Sequence, residues 1–355
     1  MRKFVLAGLA AWLGLAIAGP SMAQAPEGAL VLDGEVVADA KLYGAARGGS
    51  LNLGTYMIPI TEQAMIDEFT RLTGVKVNMT RLPTSQLVER ALSEHGAGVL
   101  SFDVLRLSDT TSADEMVKQG VYVPMTTPFD EQLARDGANV GDGSYVSSHY
   151  IAVGFAYNSE AIDPADIPAT WKDLLKPAFK DRIGIVNPNG SGVHTATTAM
   201  LMDLYGVEYL EELAKLQPRI FESTGPQAEA LSRGELLVGP QDPSGGIRMK
   251  NAGAPVKMVI PQEGISASYN PLGLTPRGKE NPAAQLYVNF LLSKVGQRLH
   301  GHLGLLPVRS DIGDIQIEGQ PLPKPGDKNL FIFTKEDQRT RQAGILAEWN
   351  RIFKY

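Results

Sequence analysis

The run Asn187-Pro188-Asn189-Gly190-Ser191-Gly192-Val193-His194 carries the sharpest local chemistry in the chain. A strand ends on it and a helix starts from it, and its small residues let backbone N–H groups around Ser191, Gly192 and Val193 converge on an anion at the positive helix end. Ser191 or Thr195 adds a hydroxyl, and His194, one turn in, adds charge when protonated. The same residues also suit a plain N-cap by Asn189 or Ser191 with no ligand, and His194 an exposed helix position. Gly190-Ser191-Gly192 imitates the start of a dinucleotide loop, but no glycine stands three residues after Gly192, so that cradle is incomplete.

Other candidates sit where strands end. Thr55 and Tyr56 follow the first strand, and Ser108, Asp109 and Thr110 the third; their oxygens either orient a ligand at a cleft mouth or are ordinary loop polarity. Gln241 and Asp242 follow a strand ending at Gly239, and Asp242 either meets a ligand or caps the helix running to Asn251. Tyr269 and Asn270 lie where the chain crosses between lobes, so Tyr269 contacts the ligand or packs a hinge. His149 and Tyr150 precede an earlier crossing and are placed to hydrogen-bond a ligand. His300 and His302 point to different sides of one helix, which favours a surface pair over a metal site.

Catalytic constellations are missing from the sequence. There is no Gly-x-Ser-x-Gly elbow, no His-Glu-x-x-His and no phosphate-binding loop; the nearest approach, 273–279, is followed by Glu280 where a hydroxyl is needed. The absence of cysteine excludes disulfides, thiolate nucleophiles, iron–sulfur clusters, Cys-ligated zinc and a lipidated N-terminal cysteine. No catalytic residue, metal site or cofactor is expected.

These residues need elements to hold them. With 355 residues, 43% hydrophobic and 20% charged, the chain can bury the core of one or two domains. Its 33 basic against 39 acidic side chains, a net charge of −6, argue against a nucleic-acid partner. Arg2 and Lys3, the apolar run 4–18 and Ser21-Met22-Ala23 read as a secretory signal peptide over residues 1–23. Cleavage after Ala23 is preferred to cleavage after Ala25, which would put Pro26 just past the bond. The apolar run is shorter than the roughly 20 residues that span a bilayer. An exported chain with no lipid anchor points to a periplasm.

Past the leader, Thr61 can cap a helix in which Met65, Phe69 and Leu72 recur at helical spacing until Gly74. A strand at 75–79, a helix at 84–95 and a strand at 102–107 complete a β-α-β-α-β unit. Strands at 182–186, 236–238 and 256–260 alternate with helices at 191–205 and 225–233, which predicts an α/β fold with mostly parallel sheets. The Pro/Gly/Lys stretch 320–327 reads as a solvated loop and 338–353 as a closing helix. Two crossings, 150–158 and 268–274, divide the chain into lobe 1 (24–150 plus 268–312) and lobe 2 (151–267), with a ligand cleft between them. The segment 313–355 packs on lobe 2 or across both lobes.

The order of these segments resembles the periplasmic solute-binding proteins of ABC importers, in the branch with ferric-iron, thiamine and phosphonate or sugar-phosphate binders. The resemblance runs over almost the whole mature chain. It is carried by Glu68-Phe69-Thr70-Arg71-Leu72-Thr73-Gly74-Val75-Lys76-Val77, Asp103-Val104 with Ser108-Asp109, Gly154-Phe155-Ala156-Tyr157-Asn158, and Pro168-Ala169-Thr170-Trp171-Lys172-Asp173-Leu174. Gly253-Ala254-Pro255-Val256, Pro261-Gln262-Glu263-Gly264 and the 283–293 segment continue it. It implies a two-lobed venus-flytrap fold of type II that closes on one solute and delivers it, as a monomer, to a permease in the inner membrane.

In such relatives the Ser191 loop often holds phosphate, carbonate or carboxylate. Ferric-binding members carry adjacent tyrosines near Gln241 and Asp242, where this chain has no tyrosine between Tyr209 and Tyr269, and an acidic ligand where it has Ser108. A small anionic solute is therefore expected. Ferric iron is the first alternative, and an exported enzyme or sensor module on the same fold the second. A polyamine would want several cleft carboxylates and aromatics, of which Asp109, Asp242 and Tyr269 can be named.

Overall fold

Leu51 and Leu53 alternate with Ser50, Asn52 and Gly54, and both leucines are fully buried in an inner strand, β1 (Ser50–Thr55). The computed structural model describes residues 27–355, so the expected leader, 1–23, lies outside the described residues. α1 (Pro59–Thr73) begins two residues before Thr61, because Pro59 takes the first helical turn and Ile58 the cap position. It ends on left-handed Gly74. Then follow β2 (Lys76–Arg81), α2 (Thr84–Gly96), β3 (Val104–Arg106) and α3 (Thr110–Lys118). β1 pairs in parallel with β2 and β3, as the β-α-β-α-β pattern requires.

The chain then leaves this layer on one long strand, β4 (Val146–Asn158). Beyond it come β5 (Gly184–Val186), α4 (Gly192–Tyr205), α5 (Glu208–Lys215), β6 (Arg219–Phe221) and α6 (Thr224–Ser232). β7 (Val238–Gln241), α7 (Pro243–Asn251) and β8 (Val256–Val259) complete the second layer. β9 (Ile265–Leu274) brings the chain back, followed by α8 (Pro282–Leu292), α9 (Lys294–His302), β10 (Leu330–Ile332) and the closing α10 (Lys335–Phe353).

Eight strands form one mixed sheet in the order β8-β4-β9-β3-β1-β2, with β10 beside β9 and β7 beside β4. The expectation of mostly parallel sheets is corrected here. β4 leaves the first lobe and β9 returns to it, so they run in opposite directions and pair antiparallel from Ser266↔Val153 to Leu272↔Val146. β7 and β8 also meet β4 antiparallel. The molecule is two-lobed, and β4 passes between its two cores: Ala152 belongs to the core of Leu53, Phe69 and Phe290, whereas Val153 and Phe155 belong to that of Trp171, Ile183 and Leu210. At Gly154, between them, a Cβ would lie 2.5 Å from the Val259 carbonyl oxygen, so only glycine lets β8 close against the crossing strand.

The chain's last part touches both lobes. Ile312, Ile315, Ile317 and Leu322 pack into the first core, so the stretch 320–327, expected as solvated, instead seats Leu322 at 4% exposure. α10 starts at Lys335 rather than 338, because Thr334 and Asp337 form a capping box that fixes its first turn. That turn meets lobe 1, with Lys335 Nζ 2.7 Å from Asp114 and Gln338 accepting from Thr110 at 3.1 Å. Farther along, Arg341 pairs with Asp203, Arg351 with Glu211, and Trp349 enters the second core.

Candidate functional site

The strand exits and helix starts of both lobes converge on a cleft with two compartments, of about 450 and 640 Å³, that share Ile151 of β4 and Val193 of α4. The smaller is lined by hydroxyls and amides: Ser108 and Thr111 at the start of α3, Ser191 and Thr195 at α4, Gln338 and Gln342 of α10, and Tyr269. The larger has Tyr56, Ile58 and Arg81 on the lobe 1 side and His194, Thr224, Gln241, Asp242 and Arg248 on the other.

On the lobe 2 side three helices begin at the cleft. α7 is capped, since Asp242 accepts from Gly245 N at 2.7 Å and from Ser244 Oγ at 2.8 Å. α4 and α6 differ: their cap residues, Ser191 and Ser223, are extended, yet neither side chain bonds to the helix it precedes. Their leading N–H groups therefore face the cleft without a side-chain acceptor, which is an anion-favouring arrangement. His194 joins the two starts, its Nε2 3.1 Å from Thr224 Oγ1. It is 4% exposed, and burial lowers its pKa to about 4, so the expectation that its charge assists an anion, or that it lies exposed, is corrected: it is a neutral spacer. Thr195 also departs from expectation, because its hydroxyl donates to the Pro188 and Ser191 carbonyls.

The lobe 1 side is built differently. Tyr56 Oη donates to Asn270 Oδ1 and lies 3.3 Å from His149 Nε2. Arg106 Nη2 lies 3.1 Å from His149 Nδ1 and 3.2 Å from His300 Nε2. Because a guanidinium only donates, both nitrogens accept, both imidazoles are neutral, and His149 carries its proton on Nε2 toward Tyr56. Burial first, and the Arg106 charge second, hold both histidines well below the ordinary range. Arg106 Nη1 is paired at 2.7 Å with Glu62, which is fully buried and also accepts from Thr55 and Tyr287.

Thr55, His149 and Asn270 are thus placed behind Tyr56, not in the cleft wall, a correction to their expected role as direct contacts. His300, expected on the surface, is fully buried and stacked on His149 with ring centroids 5.2 Å apart, while His302 lies in an outer groove. Ser108, Asp109, Ser191, Gly192 and Tyr269 line the smaller compartment, Tyr56, His194, Gln241 and Asp242 the larger, and Val193 both. Tyr269 also packs on Tyr150, at 5.7 Å between centroids. Asp109 caps α3, accepting from Ser112 N at 2.8 Å, so both cleft aspartates are engaged by helix starts.

Arg81, Arg248 and the Ser223-Thr224-Gly225 start escaped sequence reasoning. A serine and threonine before Gly225-Pro226, directly after a strand, form an N-terminus signature that could have found the last of these. Gln241, 1% exposed, donates from Nε2 to Asp242 at 3.0 Å and leaves Oε1 without a partner among the described residues. A buried acceptor left unmade costs about 1–3 kcal/mol, so the site favours a donor there. Among the described residues no three His, Asp or Glu side chains gather as a metal would require.

Residues 99–329 of this two-lobed α/β molecule match the family model of the bacterial extracellular solute-binding proteins. The chain belongs to that family. This solute-binding protein is 26% identical over 280 residues to spermidine/putrescine-binding periplasmic protein 1 of Haemophilus influenzae, covering 72% of this chain and 75% of that one. It is 25% identical over 264 residues to a protein of Salmonella typhimurium named for 2-aminoethylphosphonate binding, covering 70% and 74%. Its fold is that of the periplasmic binding protein AfuA of Actinobacillus pleuropneumoniae, solved with fructose-6-phosphate bound, at a TM-score of 0.62 and 22% identity over 86% of this chain and 99% of that one. The solute-binding protein and its family bind substrates rather than transform them.

Proposed function

We propose that this solute-binding protein captures a small anion, an organic phosphate, phosphonate or carboxylate, between its lobes in the periplasm and hands it, as a monomer, to an ABC permease of the inner membrane. The periplasmic relatives support the compartment. The expected lobe boundaries at 150 and 268 shift by a few residues, because Ala152, Ile265 and Ala267 pack in the first core, and 313–355 is laid across both lobes. Closure rotates them about β4 and β9, and the solute stabilises the closed form by binding it more tightly.

The observation that carries the anion reading is the pair of uncapped helix starts, α4 and α6, on one wall of the cleft. Arg81 and Arg248 add positive charge to the larger compartment, while Asp109 and Asp242 are already engaged as caps. The same balance opposes a polyamine, which needs free carboxylates and no guanidinium. Ferric iron is opposed because the cleft tyrosines, Tyr56 and Tyr269, stand in different compartments and burial raises the pKa of both phenols.

A thermal-shift screen of ligand-stripped protein tests this. A phosphonate, sugar phosphate or carboxylate at about 100 times its Kd adds about 2.7 kcal/mol, a rise of several degrees in Tm. Ser191→Asp should abolish that rise, because the new carboxylate occupies the helix start itself, and should not lower the Tm of the free protein. Unchanged affinity in this variant would remove the α4 start from the site.

A further inference from the structure

The two compartments differ in what a solute's body would touch. In the smaller, seryl, threonyl and glutaminyl groups stand beside Ile151, Val193 and Phe333, so polar and apolar surface are about evenly shared. In the larger, Met57, Ile58, Val153, Ala228, Met249 and Leu305 bring apolar surface from both lobes. Ile58 is 41% exposed at this mouth although it directly precedes α1, so its side chain is among the apolar groups that lobe 1 leaves uncovered. On the lobe 2 side of the larger compartment stand the α6 start, Arg248, and Gln241 with its unpartnered, buried Oε1, while Arg81 and Tyr56 line it from lobe 1. A sugar phosphate would set its hydroxyls against methionine and leucine, leaving them without partners, whereas a hydrocarbon there removes apolar area from water.

Resting on the anion reading above, we infer that the solute is an amphipathic anion: one charged head, at the α4 and α6 starts, and an alkyl or aryl body seated against Ile58, Met249 and Leu305. A hydroxyl or amino group beside the head would satisfy Gln241. The head alone fits many anions; the body is what the larger compartment selects.

The test is the chain-length dependence of affinity, measured by calorimetry on the purified protein with methyl-, propyl-, butyl- and phenylphosphonate, and in parallel with the matching carboxylates. Each added methylene should tighten binding about 4-fold, the equivalent of about 0.8 kcal/mol per buried CH₂. Met249→Gln should flatten the slope, weakening butyl- and phenylphosphonate more than methylphosphonate. Ile58→Ser, at a half-exposed cap position that tolerates serine, should flatten it in part without endangering the fold. Equal affinity along the series overturns the amphipathic solute and leaves the anion reading standing. A steep slope that both variants preserve overturns the placement of the body. If no member of either series binds, the anion reading falls, and this inference with it.

Discussion

On the lobe 1 side of the cleft, Tyr56 is held from behind by Asn270 and His149, and through His149 by Arg106 and the buried Glu62. On the lobe 2 side, Ser191 and Ser223 stand at helix starts they do not cap, with the neutral His194 between them. One wall ties its buried polar groups to one another, and the other keeps two uncapped helix starts and the Gln241 Oε1 without a side-chain partner among the described residues. The difference teaches that the groups behind Tyr56 cannot change without cost to the fold, whereas Ser191 and Ser223 can.

Arg106→Met should break this comparison most severely. It leaves the Glu62 carboxylate buried without its partner, and a loss of about 3–5 kcal/mol in chemical denaturation is expected. Adding Glu62→Gln should recover much of it, because removing both charges avoids the unpaired one. If the single variant were as stable as the parent, the wall would not depend on the pair.

The pH dependence of stability separates the walls next. Folded His194 stays neutral down to about pH 4, while the unfolded chain protonates it near 6.5. Between those values the unfolded state binds more protons, so stability falls as pH falls from 6.5 toward 4, by on the order of 2–3 kcal/mol for this residue. His194→Asn should remove that share of the acid loss, leaving the part due to His149 and His300, whose shifts have the same direction. Parallel pH profiles for parent and variant would mean that His194 is not held neutral.

The smallest effect is the most pointed. Tyr56→Phe removes the hydroxyl between Asn270 and His149 and should cost about 1 kcal/mol of stability. Ser191→Ala, across the cleft, should stay within about 0.5 kcal/mol, because Ser191 caps nothing. Equal losses in the two denaturation curves would erase the distinction.

The second wall was more legible in the sequence than the first. Glycines and a serine between a strand and a helix announce the α4 start through local rules, and Asp242 before Pro243 announces α7 in the same way. The first wall depends on contacts between residues far apart in the chain: Arg106 meets Glu62, His149 and His300. Nothing in a local window marks a glutamate or a histidine as buried, and charged side chains are ordinarily found outside. The antiparallel pairing of β4 and β9 was hidden for the same reason, since over a hundred residues separate the partners. The α/β alternation was readable because periodicity is local; strand direction at the crossing was not.

The closing helix α10 can be viewed mechanically. It is fixed to lobe 2 along most of its length, through Trp349, Arg341 and Arg351, and hooked to lobe 1 by its first turn alone, at Asp114 and Thr110. That makes it a latch on the side of the smaller compartment. Its hook is modest: the partly exposed Lys335–Asp114 pair contributes at most about 1 kcal/mol, and the Gln338–Thr110 bond and the Tyr145 ring beside Lys335 add to it. Turning a 1:99 population into 99:1 takes about 5.5 kcal/mol, so a catch of this strength can tilt the resting balance but not set it. In the proposed closure, the decision to shut stays with the cargo.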